Sequence, residues 1–144
     1  MEAQIEAARP TDAADVLRLL SQNRLPLEGL EEHLATTLVA RQEGRIVGSA
    51  ALELYEEGAL LRSLAVAAEQ QGCGLGHELT KAAIRLAQNL RAPAIYLLTT
   101  TAEKFFPRFG FEHIARDEVP ISVQASVEFT SACPSSATVM RKSL

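Results

Sequence analysis

The feature that most constrains the fold is a glycine-rich turn between a strand-like segment and an amphipathic helix. The turn reads Gln71-Gly72-Cys73-Gly74-Leu75-Gly76 and comes after an apolar run that ends at Val66. Glycine lets the backbone adopt positive φ and approach a ligand without an intervening Cβ. Consecutive N–H groups at such a turn, together with the partial positive charge of a helix N-terminus, can bind a pyrophosphate without a lysine. The pattern therefore predicts an anion-binding turn, although a glycine-rich loop that binds nothing would look the same.

The segment after this turn predicts a crossover between two parallel strands. Apolar residues recur at three- and four-residue steps from Leu75 to Leu90, which describes one face of a helix. Pro93 ends that pattern, and Ala94–Thr100 is apolar enough for a strand covered on both faces. A strand, a helix and a second strand in this order place the two strands parallel in one sheet.

The segments before the turn predict an antiparallel meander. Strand-like runs over Thr37–Arg41, Arg45–Tyr55 and Ala59–Val66 are joined by turns too short for any other arrangement. The remaining predicted elements are a strand over Gln4–Ala8, a helix over residues 13–22 capped by Thr11 or Asp12, a short helix near Ala102–Arg108, and strands near Phe111–Ala115 and Thr138–Arg141. The length of 144 residues fits one domain, residues 1–144.

Composition and motif context exclude several classes of function. A net charge of −4 leaves no basic surface for nucleic acid. No apolar run approaches the length of a membrane span, and charged residues interrupt Met1–Pro10, so we expect no signal peptide and a cytoplasmic protein. Cys73 and Cys133 could form a disulfide, but free thiols are expected in a cytosolic chain, and two cysteines are too few for a zinc motif. Gly76 is followed by His77 and not by the Lys-Ser or Lys-Thr of a P-loop, and a dinucleotide-binding motif would come after the first strand.

The turn resembles the Arg/Gln-x-x-Gly-x-Gly/Ala signature of the GNAT acetyltransferase superfamily and matches it at every fixed position. Leu64-Ala65-Val66 is similar to the coenzyme-binding strand of that family, and residues 102–111 are similar to its A-x-x-x-F-Y-x-x-x-G-F segment. The resemblance covers nearly the whole chain in the right element order. It implies an α/β fold with a mixed central sheet of about six or seven strands, a splayed parallel pair and flanking helices.

The resemblance also implies a co-substrate, acetyl-CoA, and the residues that hold it. Backbone N–H groups of residues 72–77 are expected to bind the pyrophosphate, with Leu64, Ala65 and Val66 alongside the pantetheine arm. An N–H of that strand would polarise the thioester carbonyl, and acetyl would pass directly to an amine. The implied coenzyme-binding residues are Leu64, Ala65, Val66, Gln71, Gly72, Cys73, Gly74, Leu75, Gly76, His77 and Phe106.

Two narrower resemblances concern the acceptor. Segments around the loop at Leu25–Leu30, Leu61–Val66 and Leu98–Thr100 are similar to the acetyltransferase domain of bacterial N-acetylglutamate synthases and, more closely, to short acetyltransferases of arsenic-resistance operons. This implies a small amino acid or an amino-acid-like toxic analogue, such as an arsenic- or phosphorus-containing analogue of glutamate. Phe106 replaces the family's proton-donating tyrosine, and Cys133-Pro134 stands where glutamate-specific relatives carry an arginine.

Arg62 and Thr99 are the candidate catalytic residues, and both have a structural alternative. Arg62 lies within a strand among apolar residues, so it needs a partner, which is either a substrate carboxylate or an internal ion pair such as one with Glu53. Thr99 and Thr100 end a strand where ligands often bind, but a threonine there also packs or caps a helix that begins at Ala102.

Other residues complete the predicted acceptor site. Leu25 and Glu28 belong to a loop that is either an acceptor lid or an ordinary connection. Glu53 is a candidate general base, with an exposed strand carboxylate as the alternative, and His113 is expected on the surface.

We therefore predict an acetyl-CoA-dependent N-acetyltransferase for a small-molecule amine, without metal, nucleic acid or membrane. The alternatives are a protein or peptide N-acetyltransferase, and a non-catalytic module that binds acyl-CoA for regulation. A homodimer formed through the last strands is expected from the resemblance.

Overall fold

The computed structural model describes residues 3–144 and arranges seven strands in one mixed sheet. The first two residues of the predicted domain lie outside the described part. The strands are β1 Gln4–Ala7, β2 Thr37–Gln42, β3 Arg45–Tyr55, β4 Gly58–Val66, β5 Ala94–Thr99, β6 Glu112–Ile114 and β7 Thr138–Ser143, and the helices are α1 Ala13–Gln22, α2 Leu75–Asn89 and α3 Ile121–Gln124. The order across the sheet is β1-β2-β3-β4-β5-β7-β6. The predicted fold class, a mixed sheet of six or seven strands flanked by helices, is confirmed.

The predicted meander and crossover are both present. β1 to β4 pair antiparallel in sequence order, and β4 pairs with β5 in parallel. The parallel pairing is limited to Ala59 with Ile95 and Leu60 with Tyr96. Beyond these two pairs β4 and β5 diverge, while β5 stays paired with β7 from Ala94 to Thr99. The sheet therefore opens between β4 and β5 towards the end of β4 that leads into the glycine-rich turn.

A bulge interrupts β4 just where the two strands have separated. The register between β3 and β4 shifts between Ser49 and Ala51, and Ser63 on β4 has a φ of 59°. The Ser49 hydroxyl donates a 2.7 Å hydrogen bond to the Ser63 carbonyl and fixes the bulge. A bulge leaves a residue out of the ladder and re-aims its neighbours, so backbone groups of β4 turn away from β3 at this position.

Hydrophobic residues pack on both faces of the sheet. Adjacent residues of a strand point to opposite faces, and Leu60 and Leu61 accordingly belong to two separate core clusters. The larger cluster includes α1 and α2, and Leu79 of α2 lies against Gly48, where a Cβ would come within 2.8 Å of the leucine. Val123 of α3 belongs to the smaller cluster. Both faces of the central strands are thus covered, as the apolar run of β5 predicts.

Several local predictions need correction. Asp12 does not cap α1, because its carboxylate accepts hydrogen bonds from the Arg9 N–H and the Arg41 guanidinium instead. No α-helix forms at Ala102–Arg108, where a 3₁₀ turn covers only Phe106–Phe109. The polar segment after β6 contains α3 and a π-turn at Glu128–Ala132, neither of which has a clear hydrophobic period.

Candidate active site

The glycine-rich turn presents an open backbone at the start of α2. Gly72 and Gly74 both have a φ of 87°, and no atom lies within 4 Å of a Cβ built at either residue. Gly74 is the N-cap of α2, and residues 71–74 are exposed. The prediction that glycine gives the turn positive φ is wrong for Gly76, which lies in the first turn of α2 and has no positive φ. The two positive φ values and the helix N-terminus form the arrangement expected of an anion-binding turn.

Side chains of the turn fix its position beside β4. The Gln71 side-chain amide donates to the Val66 carbonyl at 3.1 Å, and the Cys73 thiol donates to the Gln70 carbonyl at 2.6 Å. The His77 ring lies 4.8 Å from the Phe109 ring, centroid to centroid. The side chains of Gln71, Cys73 and His77 thus make contacts within the protein.

A cleft of about 440 Å³ lies between the diverging strands. It brings together seven of the predicted site residues, which are Leu25, Glu28, Arg62, Leu64, Thr99, Thr100 and Phe106. The C-terminal segment contributes Glu128 and residues 132–134 to the same lining. Ala65 and Val66 do not line this cleft, and Cys73, Gly74 and Leu75 line a second cleft of about 440 Å³ beside the turn. The predicted acceptor residues are thus grouped in one cleft, and the predicted pyrophosphate turn comes after the strand that forms one of its walls.

Arg62 is fully buried in the cleft wall and is already paired. Its Nη1 donates to Glu53 at 2.8 Å, its Nη2 donates to the Pro26 carbonyl at 3.3 Å, and its Nε donates to the Ser63 hydroxyl at 3.1 Å. The internal ion pair that the sequence left open is therefore present. Its bond to Pro26 also ties the predicted lid loop to β4.

Glu53 is not the exposed strand carboxylate that was its alternative assignment. It is fully buried and accepts hydrogen bonds from Arg62 and the Tyr55 hydroxyl. Burial acts to raise the pKa of Glu53, but hydrogen bonds from Ser126, Tyr55 and Arg62, and the charge of His33, lower it below its usual value. An ionised carboxylate with this many donors is a poor proton acceptor.

Glu128 is a site residue that the sequence analysis missed. It is 4% exposed, and its Oε2 lies 3.6 Å from Nη2 of Arg62. Its Oε1 accepts a hydrogen bond from the Cys133 thiol at 3.3 Å. Burial raises the pKa of Glu128, and the charge of Arg62 and the hydrogen bond from Cys133 only partly offset this rise. Burial likewise raises the pKa of Cys133, to about 12. No periodicity marks this residue in the sequence, because the segment forms a single π-turn.

Thr99 combines its place in the cleft with a local structural role. Its hydroxyl accepts hydrogen bonds from the backbone N–H groups of Ala102 at 2.9 Å and Thr101 at 3.4 Å. The capping alternative is therefore present, although the capped segment forms a turn and not an α-helix.

The aromatic residues near the cleft are part of the core. Phe106 is 5% exposed and contacts Phe105 and Phe111 edge to face, while still lining the cleft. It offers no hydroxyl for proton donation. His113 is exposed on β6, as predicted.

Within residues 3–144, no three side chains of the metal-binding types cluster closely enough to hold an ion. Among the same residues, no helix combines the length and apolarity needed to cross a bilayer.

The chain is similar to known proteins in sequence and in fold. Residues 33–113 match the sequence profile of the Acetyltransferase (GNAT) domain. The chain is 33% identical over 93 residues to an amino-acid acetyltransferase of Ralstonia nicotianae, covering 63% of this chain and 21% of that protein. It is 31% identical over 105 residues to an amino-acid acetyltransferase of Mycobacterium tuberculosis, covering 65% of this chain and 60% of that protein. The chain thus spans less than two thirds of the length of each relative.

Among solved structures, the fold is similar to N-acetylglutamate synthase of Neisseria gonorrhoeae in complex with coenzyme A and N-acetyl-glutamate. The TM-score is 0.82 at 23% identity, covering 100% of this chain and 35% of that one. A Mycobacterium tuberculosis protein in complex with CoA also gives a TM-score of 0.82 at 23% identity and covers 98% of this chain and 99% of that one.

Proposed function

The chain belongs to the GNAT acetyltransferase family, and on that premise we propose that it transfers acetyl from acetyl-CoA directly to the amine of a small amino acid or amino-acid-like analogue. The observation that carries the proposal is the opening between β4 and β5, because β4 forms one side of this opening and leads into the glycine-rich turn. The relatives named amino-acid acetyltransferase support an amino acid as acceptor. An arsenic- or phosphorus-containing glutamate analogue is the more specific acceptor that we propose, on the resemblance to acetyltransferases of arsenic-resistance operons.

In this proposal the coenzyme lies along β4 and ends at the turn. Residues 72–77 bind its diphosphate through backbone N–H groups, with Gly72 and Gly74 supplying the positive φ that the turn needs. Leu64, Ala65 and Val66 lie alongside the pantetheine arm, and Phe106 contacts it from the opposite wall. A backbone N–H near Leu64–Val66, next to the Ser63 bulge, polarises the thioester carbonyl and stabilises the charge that develops on its oxygen.

The acceptor occupies the cleft between the loop at residues 24–28 and the C-terminal segment. Leu25, Glu28, Thr99 and Thr100 line its path, and the cleft volume of about 440 Å³ suits a small molecule better than a peptide chain. Arg24 lines the cleft and makes no ion pair within residues 3–144, so its guanidinium can bind an anionic group of the acceptor. Arg62 shapes the wall, and direct contact between its paired guanidinium and an acceptor carboxylate stays a prediction.

Two matched glycine substitutions test the coenzyme site. Gly74→Ala forces an alanine into the left-handed region, at a cost of about 1–2 kcal/mol, and should weaken acetyl-CoA binding by at least about tenfold. Gly76→Ala is the control, because Gly76 is helical and an added Cβ would lie 3.7 Å from Val66. Calorimetry with acetyl-CoA measures both. Equal affinities for the two variants would contradict the placement of the diphosphate.

The acceptor class is tested by a thiol-release assay over amino acids, their phosphinic and arsenic analogues, and lysine-containing peptides. Turnover of amino acids or analogues without turnover of peptides is the expected result. Coenzyme binding with no turnover on any amine would instead indicate a regulatory module, for which the absence of a hydroxyl at Phe106 is the supporting feature. The expected homodimer, formed through the edge that β7 and β6 provide, is tested by light scattering.

A further inference from the structure

Glu128 is the buried acid of the cleft whose charge is least compensated. It lies beside an ion pair in which Arg62 and Glu53 are 2.8 Å apart and both side chains are at most 1% exposed. The distance from Arg62 to Glu128 is longer, 3.6 Å, and exceeds that of a hydrogen bond. One guanidinium therefore faces two carboxylates, and its closest contact is with Glu53. When both acids are ionised, this group of three side chains carries one excess negative charge that faces the cleft.

The surroundings of Glu128 favour a second cation as its partner. The charged and titratable groups that face it are Arg62 on β4, Glu53 on β3, Glu28 on the loop and Cys133 in the C-terminal segment. Two of these are acids that repel its charge, and the thiol is a weak hydrogen-bond donor. A buried carboxylate with incomplete compensation is costly unless a cation joins it. The acceptor of an N-acetyltransferase arrives as an ammonium ion, which is such a cation.

We propose that Glu128 is the catalytic base, which binds the acceptor ammonium and removes its proton; this role rests on the function proposed above. One proton passes from the ammonium to a Glu128 oxygen, which leaves a neutral amine with a free electron pair. The amine nitrogen then bonds to the thioester carbon, the carbon–sulfur bond breaks, and the surplus N–H proton passes to the departing thiolate. Glu128 returns its proton to solvent through the cleft.

The environment of Glu128 suits this task better than that of Glu53. Both are buried, but several donors hold Glu53 in its ionised form, whereas burial raises the pKa of Glu128 and makes it a stronger base. A base is most effective when its pKa lies closer to the working pH. Glu53, behind the cleft wall, therefore stays charged and orders Arg62, whereas Glu128 lines the cleft and can exchange a proton.

The test compares Glu128→Gln, Glu128→Asp and Glu56→Gln on the amine that the acceptor panel identifies. Glu56 is exposed in the turn between β3 and β4, so its substitution controls for the loss of one acid. Glu128→Gln should lower kcat/KM for the acceptor by about 100-fold or more, with little change in acetyl-CoA affinity. It should also remove the acidic limb of the pH profile, and Glu128→Asp should restore part of the rate.

A second variant separates a base from a merely structural acid. Cys133→Ala removes the thiol that donates to Glu128, so it should shift the acidic limb to higher pH without abolishing turnover. If Glu128→Gln keeps the wild-type rate and acidic limb while the wild type turns over an amine, the base role is wrong and the proposed function stands. If the wild type binds acetyl-CoA but acetylates no amine, the proposed function and the base role fail together.

Discussion

Replacing Arg62 by methionine should destabilise the protein more than any surface substitution, because it removes the cation that two buried acids share. Arg62 and Glu53 form a 2.8 Å pair with exposed fractions of 0% and 1%, and Glu128 lies 3.6 Å away. Removing one partner of a buried ion pair lowers the free energy of unfolding by about 3–5 kcal/mol, since the remaining buried charge has no partner. For a chain of this size that corresponds to a fall in Tm of roughly 10–20 °C.

Urea and thermal unfolding at several pH values measure this effect. Without Arg62, the pKa of Glu53 in the folded state rises from its lowered value, and that of Glu128 rises further above its value in the unfolded chain. A carboxyl whose folded-state pKa is raised contributes stability at low pH that is lost as the pH rises. The unfolding free energy that Arg62→Met loses relative to the wild type should therefore be smaller at pH 5 than at pH 8. The double variant Arg62→Met with Glu53→Gln should recover part of the loss.

The matched control is Arg45→Met, because Arg45 makes a 3.0 Å ion pair with Glu69 while both side chains are more than half exposed. Exposed pairs contribute about 0–1 kcal/mol, so this variant should stay close to the wild type. The reasoning would be refuted if Arg62→Met lost no more unfolding free energy than Arg45→Met, or if its loss grew as the pH falls.

Three further substitutions have defined expectations. Tyr55→Phe should cost about 1 kcal/mol in unfolding free energy, because it removes a donor to the buried Glu53 carboxylate. Burial and that carboxylate raise the pKa of Tyr55 from 10.0 to about 12, so the wild type should lose stability as the pH rises above about 10. The variant should lack this alkaline loss in pH-dependent unfolding. Thr99→Val should cost about 1 kcal/mol by leaving the Ala102 N–H without its acceptor, whereas Thr99→Ser should not, as chemical denaturation can show. Asp12→Asn should lower stability at pH 7 and flatten the acid-unfolding curve. Burial acts to raise the pKa of Asp12, but hydrogen bonds from Arg9 and Arg41 and the charge of Arg41 outweigh it, so the pKa is lowered in the folded state. The stability that this carboxylate contributes is therefore lost as the pH falls.

Local patterns in the sequence were enough to predict several parts of the fold. The period of α2, the short turns of the meander and the apolar run of β5 each depend on neighbouring residues, so their bounds were predicted to within one residue. The glycine spacing likewise located the turn, because positive φ is a local requirement that Gly72 and Gly74 meet.

The partners of the cleft residues, in contrast, depend on how distant segments pack together. Arg62 was identified from its polar side chain in an apolar strand, but the choice of Glu53 as its partner depends on strand register. Glu128 carried no local signal, since a π-turn has no hydrophobic period, and it reaches Arg62 only because the C-terminal segment folds back over the opening. Burial and charge at such a position are sums over residues far apart in the chain, so a one-dimensional pattern cannot contain them.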